Sequence, residues 1–170
     1  MVCNMKTICL VKMVYFAVFL FGCASSSGIT EKKQDTQNAV NKSLMLKLIN
    51  SHRINGCDCG TEGSFKPATL LIWNDTLEMA ALDHCLDMST NKFFSHTGSD
   101  GSTSGDRIDR RGYNWRACAE NIAVNSSEER TVNAWILSPG HCRNIMNPNY
   151  TEIGAARVGD HWTLVLGTRR

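Results

Sequence analysis

Phe93-Phe94-Ser95-His96-Thr97-Gly98 is followed along the chain by Ala119-Glu120-Asn121-Ile122-Ala123, and then by Ser138-Pro139-Gly140-His141-Cys142-Arg143-Asn144-Ile145-Met146-Asn147-Pro148. These segments hold two of the 5 histidines and an acid inside an otherwise uncharged, apolar run. We read them as converging on one cleft faced by His96, Glu120 and His141. The elements that bring them together decide the fold.

Working outward, apolar residues at Val40, Leu44, Met45, Leu48 and Ile49 make a helical stripe over 39–53. A loop follows from Cys57 to Thr69. Leu70 to Trp73 is a short apolar run leading into a second helix, for which Asp75 and Glu78 supply a capping box. Leu77, Ala80, Ala81, His84, Cys85 and Met88 keep the helical period, which gives His84 the place of a packed, hydrogen-bonded histidine. Ser104 to Gly112 reads as a short helix with a serine cap and a glycine stop. Ser126 and Glu129 start another helix, with Val132, Trp135 and Ile136 inward and Ser138-Pro139-Gly140 ending it. Glu120 to Val124 fits a buried strand. Ile153 to Val158 and Trp162 to Leu166 flank Gly159-Asp160 as a hairpin, and both faces of that pair are apolar. A sheet covered on both sides follows. The expectation is an α+β fold, with helices on either side of a small antiparallel sheet of three or four strands.

The chain opens with Lys6 and Lys12 and no acid, then runs apolar from Met13 to Gly22. That length suits a secretory signal and is too short to span a bilayer. Leu20-Phe21-Gly22-Cys23 resembles a bacterial lipobox, which makes 1–22 a lipoprotein signal peptide and Cys23 the lipidated residue; an ordinary cut near Ser25 to Gly28 is the alternative. Residues 23–38 then form a flexible tether and 39–170 one domain. Removing Lys6 and Lys12 from the 18 basic side chains balances them against the 16 acidic ones, so nucleic acid is not expected as a partner. The location expected is the bacterial cell envelope, on the membrane through Cys23, and the outer membrane in a Gram-negative cell.

The domain keeps Cys57, Cys59, Cys85, Cys118 and Cys142 of the 8 cysteines. In an oxidising compartment pairing is the default, with one thiol over. Cys118 and Cys142 border the cleft segments and are expected to pair. Cys85 is expected to reach Cys57 or Cys59. The paired Cys-x-x-Cys spacing of zinc sites is absent.

His96, Glu120 and His141 admit three readings on chemistry alone. A buried Glu–His pair that holds helices on the sheet ranks first. Two imidazoles could also hold a weak, exchangeable zinc ion or another divalent ion, since a catalytic zinc normally has three protein ligands. Glu120 is then the candidate catalytic base, or an acid–base partner to a histidine without metal. Ser95 and Ser138 lack the Gly-x-Ser-x-Gly setting of a serine nucleophile, and a Cys142 that can pair is inert.

Together with Gly105-Asp106-Arg107-Ile108, Gly112-Tyr113-Asn114-Trp115, Trp73-Asn74-Asp75 and Thr151-Glu152-Ile153-Gly154, these segments resemble the bacterial branch of the CAP superfamily. This superfamily, also called SCP-like, includes cysteine-rich secretory proteins, insect-venom antigens and plant pathogenesis-related proteins. The resemblance implies an α–β–α sandwich with a central cleft of two histidines and two acids. His96 and His141 match the histidines and Glu120 the first acid. The second acid's position, three after Trp135, is Ser138 here. Asn121 and Asn144 match helper positions in the cleft. The resemblance further implies a binding or envelope-associated module for a lipid, sterol or peptide, with a metal-assisted hydrolase of peptide or envelope material as the alternative.

Overall fold

Two runs near the C-terminus alternate so that both faces are apolar, and they build the centre of the sheet. In a computed structural model, which describes residues 39–170, they are β5 (Glu152–Val158) and β6 (His161–Arg169), joined antiparallel through the turn at Gly159-Asp160. The expected signal peptide, the lipidated Cys23 and the tether lie outside the described residues. Strand β4 (Trp115–Val124) pairs antiparallel with the other edge of β6, and the two-residue β3 (Ile72–Trp73) pairs with β5. The order is β3-β5-β6-β4. The β3–β5 pair is parallel, so the sheet is mixed where an antiparallel one was expected. Parallel pairing requires a long crossover, and the whole segment from β3 to β5, with its helices, supplies one. A second, two-stranded ladder joins β1 (Cys57–Asp58) to β2 (Ser64–Phe65).

Period-two alternation divides the strands between two cores. On one face Ile153, Ala155, Trp162, Leu164 and Leu166 pack with α1 (Lys42–Asn55), α4 (Glu128–Leu137) and α5 (Pro139–Met146). On the other, Ala156 and Val165 pack with α2 (Asp75–Asn91) and α3 (Ser104–Arg110). Gly154 is required by this second layer, because a Cβ there would stand 2.0 Å from the backbone nitrogen of Glu78 at the start of α2. Helices on both faces make the layered α–β–α arrangement. Among the described residues no helix is long and apolar enough to cross a membrane.

Several helix starts differ from expectation by one residue. Asn74, not Asp75, caps α2, accepting from the backbone N–H groups of Thr76 and Leu77; Asp75 takes the first helical position and pairs with Lys42. Thr103 caps α3 in a capping box with Asp106, and Ser127 caps α4. In each case the extended backbone of the preceding polar residue lets its side chain turn back onto the first turn. Pro139 does not simply end α4. It opens α5, where its missing N–H costs nothing.

Two buried polar features fix the positions of these layers. Arg53, fully buried, donates to the carbonyls of Thr69, Ile145, Asn147 and Tyr150, which ties α1 to the C-terminal end of α5. Along β4 the carbonyls of Cys118, Glu120 and Ile122 accept from Tyr150 Oη, Asn144 Nδ2 and Trp135 Nε1 at 3.2, 3.4 and 3.1 Å.

The cysteines pair differently from expectation. The disulfide is Cys59–Cys142, closing 83 residues, and by the chain-entropy relation it is worth about 4–5 kcal/mol. Cys118 is free: it points to the α2–α3 face, whereas Cys142 lies in the α1–α4–α5 core. Cys85 is also free and buried on that opposite face, with its thiol donating to Thr163 Oγ1 and Ala156 O, so neither Cys57 nor Cys59 reaches it. The sheet separates the pairs that sequence spacing alone would join.

Candidate functional site

Strand β4 is the edge of the four-stranded sheet, so consecutive residues on it serve opposite faces. Glu120 turns to the α2–α3 side and Asn121 to the α5 side, and the candidate residues gather around that edge. His96 comes from the loop after α2, and His141 from the first turn of α5.

His96 Nδ1 lies 2.9 Å from Glu120 Oε1, and Arg107 Nη2 donates to Glu120 Oε2 at 2.7 Å. The same guanidinium holds the loop, donating to the carbonyls of His96 at 3.0 Å and Ser102 at 2.9 Å. Behind them the fully buried His84 places Nε2 2.8 Å from the Ser95 carbonyl and 3.7 Å from Glu120 Oε1. A carbonyl only accepts, so His84 Nε2 carries the proton. The rings of His96 and His141 are neighbours, tilted 54° to each other with centroids 6.3 Å apart. Asn121, fully buried, donates to the His141 carbonyl at 3.1 Å and accepts from Asn144 Nδ2 at 2.9 Å. The two amides therefore position the start of α5.

Burial pushes the Glu120 carboxyl up, but the hydrogen bond from His96 and the charge of Arg107 outweigh it and hold the group below its ordinary value. Burial lowers His84, a shift that Glu120 opposes and Arg107 reinforces. His141 is lowered by burial and by the neighbouring His96. The chemistry follows from these states. An ionised Glu120 accepts from His96 Nδ1–H, which leaves Nε2 of that ring as a lone-pair donor. The carboxylate–histidine arrangement is the one that orients metal-binding imidazoles. His141, held toward neutrality, offers a second such donor. Zn–N bonds are about 2.0–2.1 Å, and His96 and His141 are the side chains of this group that could hold an ion.

Among the described residues no hydrogen bond joins Ser138 to this group, and its side chain does not cap α5. Sequence reasoning missed Arg107 as a member of the site and placed His84 only in the core. The available signal was the Ala119-Glu120-Asn121-Ile122-Ala123 run itself, because a carboxylate buried in it requires a buried cation nearby.

A sequence profile described as the cysteine-rich secretory protein family, CAP, matches residues 46–164. YkwD of Bacillus subtilis (strain 168) is 29% identical over 149 residues, covering 82% of this chain and 54% of YkwD. The crystal structure of an extracellular protein containing an SCP domain from Bacillus anthracis str. Ames superposes with a TM-score of 0.64 at 27% identity, over 76% of this chain and 40% of that one. An outer surface protein from Borrelia burgdorferi shares the fold with a TM-score of 0.65 at 24% identity, over 78% of this chain and 98% of its own. The chain thus spans about half of YkwD and less of the anthracis protein. By its matching profile and its sandwich, it belongs to the cysteine-rich secretory protein (CAP) family.

Proposed function

We propose that the domain is a non-catalytic binding module of the cell exterior, whose cleft holds a divalent ion such as zinc between His96 and His141. The observation that carries this reading is the state of Glu120. Both of its oxygens already accept a hydrogen bond, one from His96 and one from Arg107, and the carboxyl is held below its ordinary value, which makes it a weak base toward water. Its role is to orient His96. Two imidazoles leave other coordination positions open, where a bound ion would supply Lewis acidity to a lipid headgroup, sterol hydroxyl or peptide carbonyl. Export is supported by the Leu20-Phe21-Gly22-Cys23 pattern and by relatives described as extracellular or outer-surface proteins. Membrane attachment through an acylated Cys23 is part of the same reading.

The deciding experiment uses the full chain purified from its own membrane. Native mass spectrometry should show the mass of acyl chains on Cys23; an unmodified Cys23 overturns the anchor. Calorimetric zinc titration should lose the binding isotherm in His96→Ala and in His141→Ala. Glu120→Gln should weaken binding about 10–100-fold through misorientation of His96. Assays on peptides and envelope fragments should show no turnover. Zinc-dependent turnover that vanishes in Glu120→Gln while zinc stays bound would replace this reading with a metal-assisted hydrolase.

A further inference from the structure

Outside the cleft, three sulfur atoms meet. Cys57 of β1, Cys59 directly after that strand, and Cys142 of α5 lie with their sulfurs within 4.8 Å of one another. Two are joined as the Cys59–Cys142 disulfide. The third is a free, half-buried thiol whose Sγ stands 3.7 Å from Cys142 Sγ. That is contact distance for two sulfurs, and it places a nucleophile against one end of a disulfide. The sequence reading makes Cys57 and Cys59 rivals for Cys85. Here both are within reach of Cys142.

We propose that Cys142 is shared between Cys57 and Cys59, so that the cluster is a thiol–disulfide exchange centre. The Cys57 thiol releases its proton to solvent and its thiolate attacks Cys142 Sγ. The Cys57–Cys142 bond forms as the Cys59–Cys142 bond breaks. The electron pair leaves on the Cys59 sulfur, which takes up a proton. The cluster holds one disulfide and one thiol before and after, so no oxidant or reductant is consumed. Exchange shifts the covalent attachment of α5 by two residues along the 57–59 segment. That helix also carries His141 and Asn144, so the two bridged forms hold the cleft's second imidazole by different tethers.

The test is a label map of the oxidised full-length protein. The protein is incubated at pH 8, quenched in mild acid and blocked with a maleimide. Cleavage ahead of aspartate then separates Cys57 from Asp58-Cys59. Label is expected on Cys59 as well as Cys57, rising with incubation as that on Cys57 falls. In a Cys59→Ser variant, Cys142 should be bridged to Cys57 and resist alkylation. Label confined to Cys57 throughout overturns the proposal, and the wild-type map decides even if the variant fails to fold. A cluster isolated with all three thiols reduced and an equivalent of zinc bound also overturns it.

Discussion

Glu120 is the residue that joins His96 to Arg107, and its energetics follow from its surroundings. A carboxylate removed from water is tolerated only when it is paired and hydrogen-bonded, and Arg107 supplies the permanent charge. Arg107→Met should therefore cost about 3–5 kcal/mol in urea unfolding, because the buried carboxylate is left without its cation. A loss below about 1 kcal/mol, the range of exposed ion pairs, would mean that the pair is solvated and that Glu120 is free for other work. At this scale the sequence was half legible. Glu120 stood out as an acid in an apolar run, and the motifs around His96 and His141 marked them. Arg107 did not stand out, because α3 also carries Arg110 beside it and only the tertiary fold makes one arginine buried and the other exposed.

Among the elements, α5 is tethered at both ends. The Cys59–Cys142 bridge and the Arg143–Glu62 ion pair hold it to the segment after β1, while Arg53 holds the carbonyls at its far end. Arg53→Met would strand four buried or half-buried carbonyls, so a loss on the order of 3 kcal/mol or more is expected in the same unfolding assay. A near-neutral result would show that water takes over those acceptors. The helices α1, α2 and α4 were readable from their apolar period, and β5 and β6 from their apolar runs about the Gly159-Asp160 turn; α5, read as the stop of α4, and the β1–β2 ladder, read as a loop, were not. Cap residues shifted by one because neighbouring polar residues compete for the role, as in Asn74-Asp75, Thr103-Ser104 and Ser126-Ser127. Cysteine partners were not readable, since they depend on which face of the sheet each element packs against.

For the whole molecule, the buried His84 and the half-buried His141 shape the response to acid. His84 and His141 have lowered pKa values, so between their folded values and the unfolded value near 6.5 the unfolded chain binds more protons. Stability therefore falls as pH drops below about 6.5. Glu120, also lowered, adds a second loss: its contribution is full above the unfolded value of about 4.3 and disappears as pH falls through its folded pKa. Thermal melts from pH 7 down to pH 3 should show Tm declining through both windows. A Tm unchanged between pH 7 and pH 5 would show that these imidazoles are not held neutral. The filled carbonyls of β4 have a separate consequence. An edge strand ordinarily invites a visiting chain to lie alongside it and extend the ladder, but here Tyr150, Asn144 and Trp135 already occupy three successive outward acceptors. A guest strand pairing along β4, from a peptide or a second copy, would thus have to displace those three side chains, which disfavours that route.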